Sequence, residues 1–88
     1  MRVLVVEDNR QLAKLLEQGL REAGCSVVVA HDGRAGLQLA GEGGHDVLVV
    51  DWLLPELDGL ALLRALRRAR DATPVLMLTA RDARARAA

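Results

Sequence analysis

The feature that most restricts the fold of this sequence is a series of four short apolar runs, separated by longer segments with helical periodicity. The runs are VLVV at 3–6, SVVVA at 26–30, VLVVD at 47–51 and VLML at 75–78. They are too short for typical helices, and uninterrupted apolar runs of this kind are typical of strands buried on both faces. The alternation therefore predicts an α/β fold, a doubly wound parallel sheet with right-handed crossovers.

The segments between the runs carry helix signals. In the first of them, five residues are predicted to share one helical face: Leu12, Leu15, Leu16, Leu20 and Ala23. Asn9 is a predicted N-cap of this helix and Gly24 its predicted stop. Asp32 and Asp58 are predicted to cap the second and third helices.

Composition excludes several classes of function. Lysine and arginine together number 12, as do the acidic residues, so no global basic field would attract nucleic acid or an anionic membrane. No apolar run approaches the roughly 18 residues that span a bilayer, and the N-terminus MRVLVVED is too short and too acidic for a signal peptide. The single cysteine, Cys25, offers no disulfide framework. We therefore expect a soluble, cytoplasmic protein without membrane partners.

Polar residues follow three of the four predicted strands. Glu7 and Asp8 follow the first, Asp51 ends the third and Thr79 follows the fourth. Ligands of open α/β sheets bind beyond the carboxyl ends of strands, and neighbouring strands lie about 4.8 Å apart. If the first and third strands are neighbours, three carboxylates meet and repel one another, and Mg²⁺ would relieve that repulsion. Asp51 could then act as a nucleophile toward a phosphoryl donor, with the Thr79 hydroxyl bonding the transferred group.

Each of these residues also has a simpler interpretation. Glu7 and Asp8 could be a solvated loop and helix-cap pair. Asp51 could make a local turn, and Thr79 could be a strand terminus whose polar groups bond the backbone. Their shared position at one edge of the sheet favours a common site.

Three motifs give the chain a family resemblance: the acidic pair in VLVVEDN, then DWLLPELDG, then TPVLMLTAR. In this order and spacing they resemble the receiver domain of bacterial two-component response regulators. The segment LLPELDGLALLRALR looks most like receivers with a winged-helix DNA-binding output domain. The resemblance implies a flavodoxin-like sheet of strand order 2-1-3-4.

The resemblance also implies roles for individual residues. Asp51 would accept a phosphoryl group from a histidine kinase, so the chain would be a regulatory phosphoacceptor rather than an enzyme. Asp8, Asp51 and the backbone carbonyl of Leu53 would bind Mg²⁺ directly, with Glu7 acting through water. Thr79 would be the switch hydroxyl.

The resemblance assigns a helping role to the Ala80 backbone N–H. The sequence also departs from the family, because the family's fifth strand, with its switch aromatic, is missing. The family's fifth strand ends in a lysine that pairs with the phosphoryl group, whereas the only lysine here, Lys14, lies on the first predicted helix. We therefore expect an incomplete receiver over 1–80, without the fifth strand and last helix, and a tail at 81–88 that starts a fourth helix or is disordered. The exposed edge of the fourth strand predicts homodimerisation. DNA would be contacted only through an output domain outside this sequence.

Two other functions compete with this interpretation. A dehalogenase-like phosphatase would need an acid two residues after its nucleophile, and here that position is Leu53. A degenerate receiver serving only as an assembly domain is favoured by the missing lysine and disfavoured by the intact acids. His31 and His45 are predicted to be surface residues at strand starts, opposite the acidic edge.

Overall fold

The computed structural model describes residues 1–78 and, for the backbone alone, residues 85–87. The strands are β1 (Arg2–Val6), β2 (Ser26–Ala30), β3 (Val47–Asp51), β4 (Val75–Leu78) and β5 (Ala85–Ala87). The helices are α1 (Arg10–Glu22), α2 (Gly33–Gly41) and α3 (Gly59–Arg68). All four predicted strands and all three predicted helices are present. No helix within the described residues is long and apolar enough to cross a membrane.

The strands form one sheet in the order β2-β1-β3-β4-β5, and the first four are mutually parallel. The predicted order 2-1-3-4 is thus confirmed. Val6 lies opposite Ala30 on one side and Val50 on the other. This register brings the carboxyl ends of β2, β1 and β3 to the same edge of the sheet.

The core lies on both faces of the sheet, because alternate residues of each strand point to opposite sides. On one face, Leu4 and Val6 pack in a cluster with Leu62 and Leu66 of α3. On the other, Val3, Val5, Val27 and Val49 pack with Leu16 and Leu20 of α1. Burial on both faces explains why β1 and β3 are continuous apolar runs in the sequence.

The three predicted N-caps are confirmed. Asn9 accepts a hydrogen bond from the Leu12 N–H, and Asp32 and Asp58 accept corresponding bonds at the starts of α2 and α3. Each bond satisfies one amide left free by the helix geometry. The predicted stop after α1 is also present, since Gly24 has a φ of +93°, which glycine adopts without steric cost.

The buried face of α1 differs from the predicted one. Ala13 is buried and Leu16 and Leu20 contact the sheet, whereas Leu12 is partly exposed and Leu15 is 66% exposed. Ala13, Leu16 and Leu20 have the i, i+3, i+7 spacing of one helical stripe, and the small alanine lets α1 approach the sheet. The predicted face was therefore wrong at Leu12 and Leu15, and it left out Ala13.

The outer edge of β4 also differs from expectation. Ala85–Ala87 form an antiparallel strand against Leu76–Leu78, rather than the start of a helix or a disordered tail. The pairing satisfies N–H and C=O groups that an edge strand otherwise leaves open. Leu76–Leu78 of the β4 edge are therefore paired within the chain, and the homodimer through this edge stays a prediction.

Candidate functional site

Three carboxylates meet at the carboxyl edge of the sheet. Glu7 and Asp8 follow β1, and Asp51 is the last residue of β3. Because β1 and β3 are neighbours in parallel register, one carboxylate oxygen of each of the three residues lies within 4.8 Å of the others. The sequence predicted that these acids meet if the two strands are neighbours, and in the structure they are.

The Glu7 carboxyl is the most perturbed group of this cluster. Only 2% of Glu7 and 7% of Asp51 is exposed, whereas Asp8 is exposed. The pKa of Glu7 is raised from 4.5 to about 7, chiefly by burial and in addition by the adjacent Asp51 and Asp8. The Asn9 backbone N–H, 3.0 Å from Glu7 Oε2, opposes these effects by lowering the pKa. At neutral pH the cluster therefore holds a carboxyl close to its titration midpoint.

The cluster has the donors that a hard divalent cation needs. Carboxylate oxygens are preferred ligands of Mg²⁺, which is commonly bound by one or two carboxylates together with waters and a phosphate. The raised pKa of Glu7 reflects burial and repulsion, both of which a bound cation would offset. The residues present therefore fit Mg²⁺.

The loop from β3 to α3 begins at the cluster. The Leu53 N–H donates a 3.2 Å hydrogen bond to Asp51 Oδ1, which orients this carboxylate. The Trp52 N–H donates to the Leu78 carbonyl at 2.9 Å, so the β3–β4 ladder continues beyond Asp51. The Trp52 side chain is 37% exposed and adjoins the cluster in sequence. It can therefore report changes at Asp51 by fluorescence.

Gly59 brings the start of α3 against the same strand end. Its N–H donates to the Trp52 carbonyl at 3.1 Å. A Cβ at this position would lie 2.6 Å from the Asp51 carbonyl oxygen, closer than real Cβ contacts allow. Glycine is therefore required here by the close approach of two backbone segments.

The position of His31 near the cluster differs from the predicted one. His31 follows β2, so it lies at the carboxyl edge, and its Nδ1 is 3.2 Å from the backbone oxygen of Glu7. The prediction that it lies opposite the acids was wrong. In a parallel sheet all strands run in the same direction, so residues that follow the strands lie at the same edge. His45 does lie at the opposite edge, before β3, with Nε2 3.2 Å from the Leu39 oxygen.

Two of the predicted site residues, Thr79 and Ala80, lie outside the described residues. The described part of β4 ends at Leu78, which pairs with Asp51. The roles suggested for Thr79 and Ala80 by the family resemblance thus remain predictions.

Comparison with known proteins identifies relatives across almost the whole chain. The sequence profile of the response regulator receiver domain matches residues 3–88. The chain is 45% identical to the uncharacterized transcriptional regulatory protein YkoG of Bacillus subtilis, over 91% of this chain and 35% of YkoG. It is also 45% identical to response regulator MprA of Mycobacterium avium, over 93% of this chain and 36% of MprA. The chain thus spans about a third of the length of the curated relatives it matches.

Solved structures agree with these relatives. The receiver domain of Francisella response regulator 1452 superposes with a TM-score of 0.88 at 40% identity, over 92% of this chain and 67% of that one. Response regulator TrrA from Thermotoga maritima, solved in complex with Mg(2+)-BeF, superposes with a TM-score of 0.87 at 28% identity, over 92% of this chain and 70% of that one.

Proposed function

This chain belongs to the family of response regulator receiver domains, and from that membership we propose that it is a phosphoacceptor switch of a two-component system. The observation that carries the proposal is the meeting of Glu7, Asp8 and Asp51 within 4.8 Å at the carboxyl edge of the sheet. Asp51 is the proposed acceptor, because it ends the central strand β3 and its Oδ1 is held by the Leu53 N–H. The Mg²⁺-BeF complex of TrrA supports a metal-dependent site in the family.

The proposed transfer proceeds from a phosphohistidine of a histidine kinase. A carboxylate oxygen of Asp51 forms a bond to phosphorus, the phosphorus–nitrogen bond breaks, and its electron pair returns to the histidine ring. The product is an acyl phosphate on Asp51. Since phosphoryl transfer depends mainly on positioning and charge stabilisation, the task of the chain is to hold Asp51 in line with the donor.

The proposed metal ligands are the carboxylates of Asp8 and Asp51 and the backbone carbonyl of Leu53, with Glu7 acting through water. When bound, Mg²⁺ supplies positive charge that stabilises the phosphoryl oxygens. The short distance between the carboxylates and the raised pKa of Glu7 support this assignment. Glu7 must release its proton to contribute its full charge.

Phosphorylation is proposed to be transmitted beyond the site through Thr79 and Ala80. The Thr79 hydroxyl and the Ala80 backbone N–H would bond the new phosphoryl group. The relative YkoG is a transcriptional regulatory protein. We therefore propose that the switch regulates transcription through a DNA-binding output domain in the whole protein.

Trp52 fluorescence provides the test. We expect the emission to change when Mg²⁺ is added, and again when beryllofluoride is added in the presence of Mg²⁺. Asp51→Asn should abolish both responses. Asp46→Asn is the matched control, because Asp46 lies at the opposite edge and asparagine can still accept its hydrogen bond from the Arg2 N–H.

The other outcomes lead to different conclusions. A folded protein that shows no response to Mg²⁺ would support an assembly role without phosphorylation. Steady hydrolysis of a phosphate ester would support an enzyme. An equal response in the wild type and Asp51→Asn would refute the assignment of Asp51.

A further inference from the structure

Helix α2 lies unusually close to the loop that leaves the acidic cluster. Gly33 is the first residue of α2 and is buried. A Cβ built on Gly33 would overlap the backbone oxygen of Leu57, and it would lie 2.8 Å from the Leu57 carbonyl carbon. Because the obstructing atoms belong to the backbone, rotation of a side chain cannot relieve the clash. Only glycine lets the start of α2 and the β3–α3 loop occupy their present positions.

The same face of α2 also lies against the end of β1. Gly36 follows Gly33 by three residues, so the two glycines are neighbours on the helix surface. A Cβ on Gly36 would lie 2.8 Å from both methyl carbons of Val6. Val6 is fully buried and directly precedes Glu7. The glycine face of α2, defined as Gly33 and Gly36, therefore contacts both the β3–α3 loop and the end of β1, the two segments next to the acidic cluster.

A polar contact joins α2 to the same loop. Arg34 Nε lies 3.3 Å from Glu56 Oε2, and Glu56 adopts a φ of +65°. Both side chains are largely exposed, so the ion pair adds little stability by itself. It nevertheless links α2 to the residue before Leu57, in agreement with the backbone contact at Gly33.

We propose that Gly33 and Gly36 are positioning residues of the Mg²⁺ site, an inference that rests on the proposed function above. By fitting closely against Leu57 and Val6, the glycine face sets the separation between the β3–α3 loop and the end of β1. The loop runs from Asp51 through Leu53, whose N–H bonds Asp51 Oδ1. A side chain at position 33 would push the loop outward and move the Leu53 backbone away from the carboxylates.

Gly33→Ala tests the proposal, with Gly41→Ala as its matched control. Both substitutions place alanine in α2 and raise its helix propensity, but nothing lies within 4 Å of a Cβ at Gly41. We expect Gly33→Ala to weaken Mg²⁺ binding, measured by Trp52 fluorescence, by about tenfold or more, the range seen when the support of a metal ligand is lost. In metal-free protein it should also change the quenching of Trp52 by acrylamide. Gly41→Ala should match the wild type in both measurements.

A second pair of variants decides the question if Gly33→Ala does not fold. Gly36→Ala should weaken Mg²⁺ binding because its methyl group meets Val6. The double variant Val6→Ala/Gly36→Ala removes the opposing methyl carbons and should restore affinity to within about threefold of the wild type. A rescue of this kind is not expected from a general loss of stability, since Val6→Ala by itself removes buried apolar contacts.

The results separate this inference from the proposed function. The positioning role alone is overturned if the wild type binds Mg²⁺ in an Asp51-dependent manner, while folded Gly33→Ala or Gly36→Ala has unchanged Mg²⁺ affinity and unchanged Trp52 quenching. Absence of Asp51-dependent Mg²⁺ binding in the wild type overturns the proposed function and the positioning role with it.

Discussion

The raised pKa of Glu7 makes the stability of the metal-free protein depend on pH in an unusual direction. In the unfolded chain Glu7 titrates near 4.5, and in the folded chain its pKa is about 7. Between these values the folded state binds more protons than the unfolded state, so the free energy of unfolding falls as pH rises. The loss due to Glu7 is at most about 3 kcal/mol and is complete above the folded pKa.

Glu7→Gln isolates this contribution from those of other titrating groups. Glutamine is uncharged at every pH and can still accept the hydrogen bond from the Asn9 N–H. We expect the free energy of unfolding of the wild type, relative to Glu7→Gln, to decrease steadily from pH 5 to pH 8. Urea denaturation at several pH values, without metal and with circular dichroism as the probe, measures this difference.

In the presence of Mg²⁺ the free energy of unfolding should rise with pH instead of falling, because the metal competes with the proton on Glu7. With a pKa of about 7 for Glu7, the apparent affinity for Mg²⁺ should weaken about tenfold between pH 8 and pH 6. Glu7→Gln should bind Mg²⁺ more weakly at pH 8 and show a flatter pH profile. The reasoning is refuted if the wild type and Glu7→Gln change equally in stability between pH 5 and pH 8.

Substitutions at three positions test the fold and the cluster. Asp51→Asn removes a charge beside Glu7, so at pH 8 the metal-free variant should be more stable than the wild type by about 1 kcal/mol in urea denaturation; a loss of stability would contradict the repulsion inferred here. Leu62→Ala should lower the free energy of unfolding by about 2 to 5 kcal/mol, because Leu62 is fully buried between α3 and the sheet. A thermal unfolding midpoint equal to that of the wild type would contradict this packing. Asp58→Ala should lower the free energy of unfolding by about 1 kcal/mol, because the α3 cap is lost. Asp58→Asn should change it little, because asparagine can still accept the hydrogen bond from the Ala61 N–H.

Local sequence signals predicted most of the fold. The strands were recognisable because each consists almost entirely of apolar residues, and the central strands β1 and β3 are buried on both faces. Asn9, Asp32 and Asp58 were recognisable as caps because a cap is a bond between residues three positions apart. The meeting of Glu7 and Asp8 with Asp51 followed from strand adjacency, which the family resemblance supplied.

Features that depend on tertiary packing between distant segments could not be predicted from local sequence signals. The closeness of Gly33 to Leu57 depends on how α2 packs against a loop more than 20 residues away, and a glycine in a helix pattern indicates only lowered propensity. The burial that raises the pKa of Glu7 likewise arises from tertiary packing.

The position of His31 was predictable from strand direction and was nevertheless assigned to the wrong edge.

Calorimetric titration with Mg²⁺ at pH 8 tests most directly the central claim that the acids after β1 and the acid that ends β3 form one cation site. The account predicts one Mg²⁺ bound per chain, with binding lost in both Asp8→Asn and Asp51→Asn and retained in Asp46→Asn. Full binding in either of the first two variants, or no binding in the folded wild type, would contradict it.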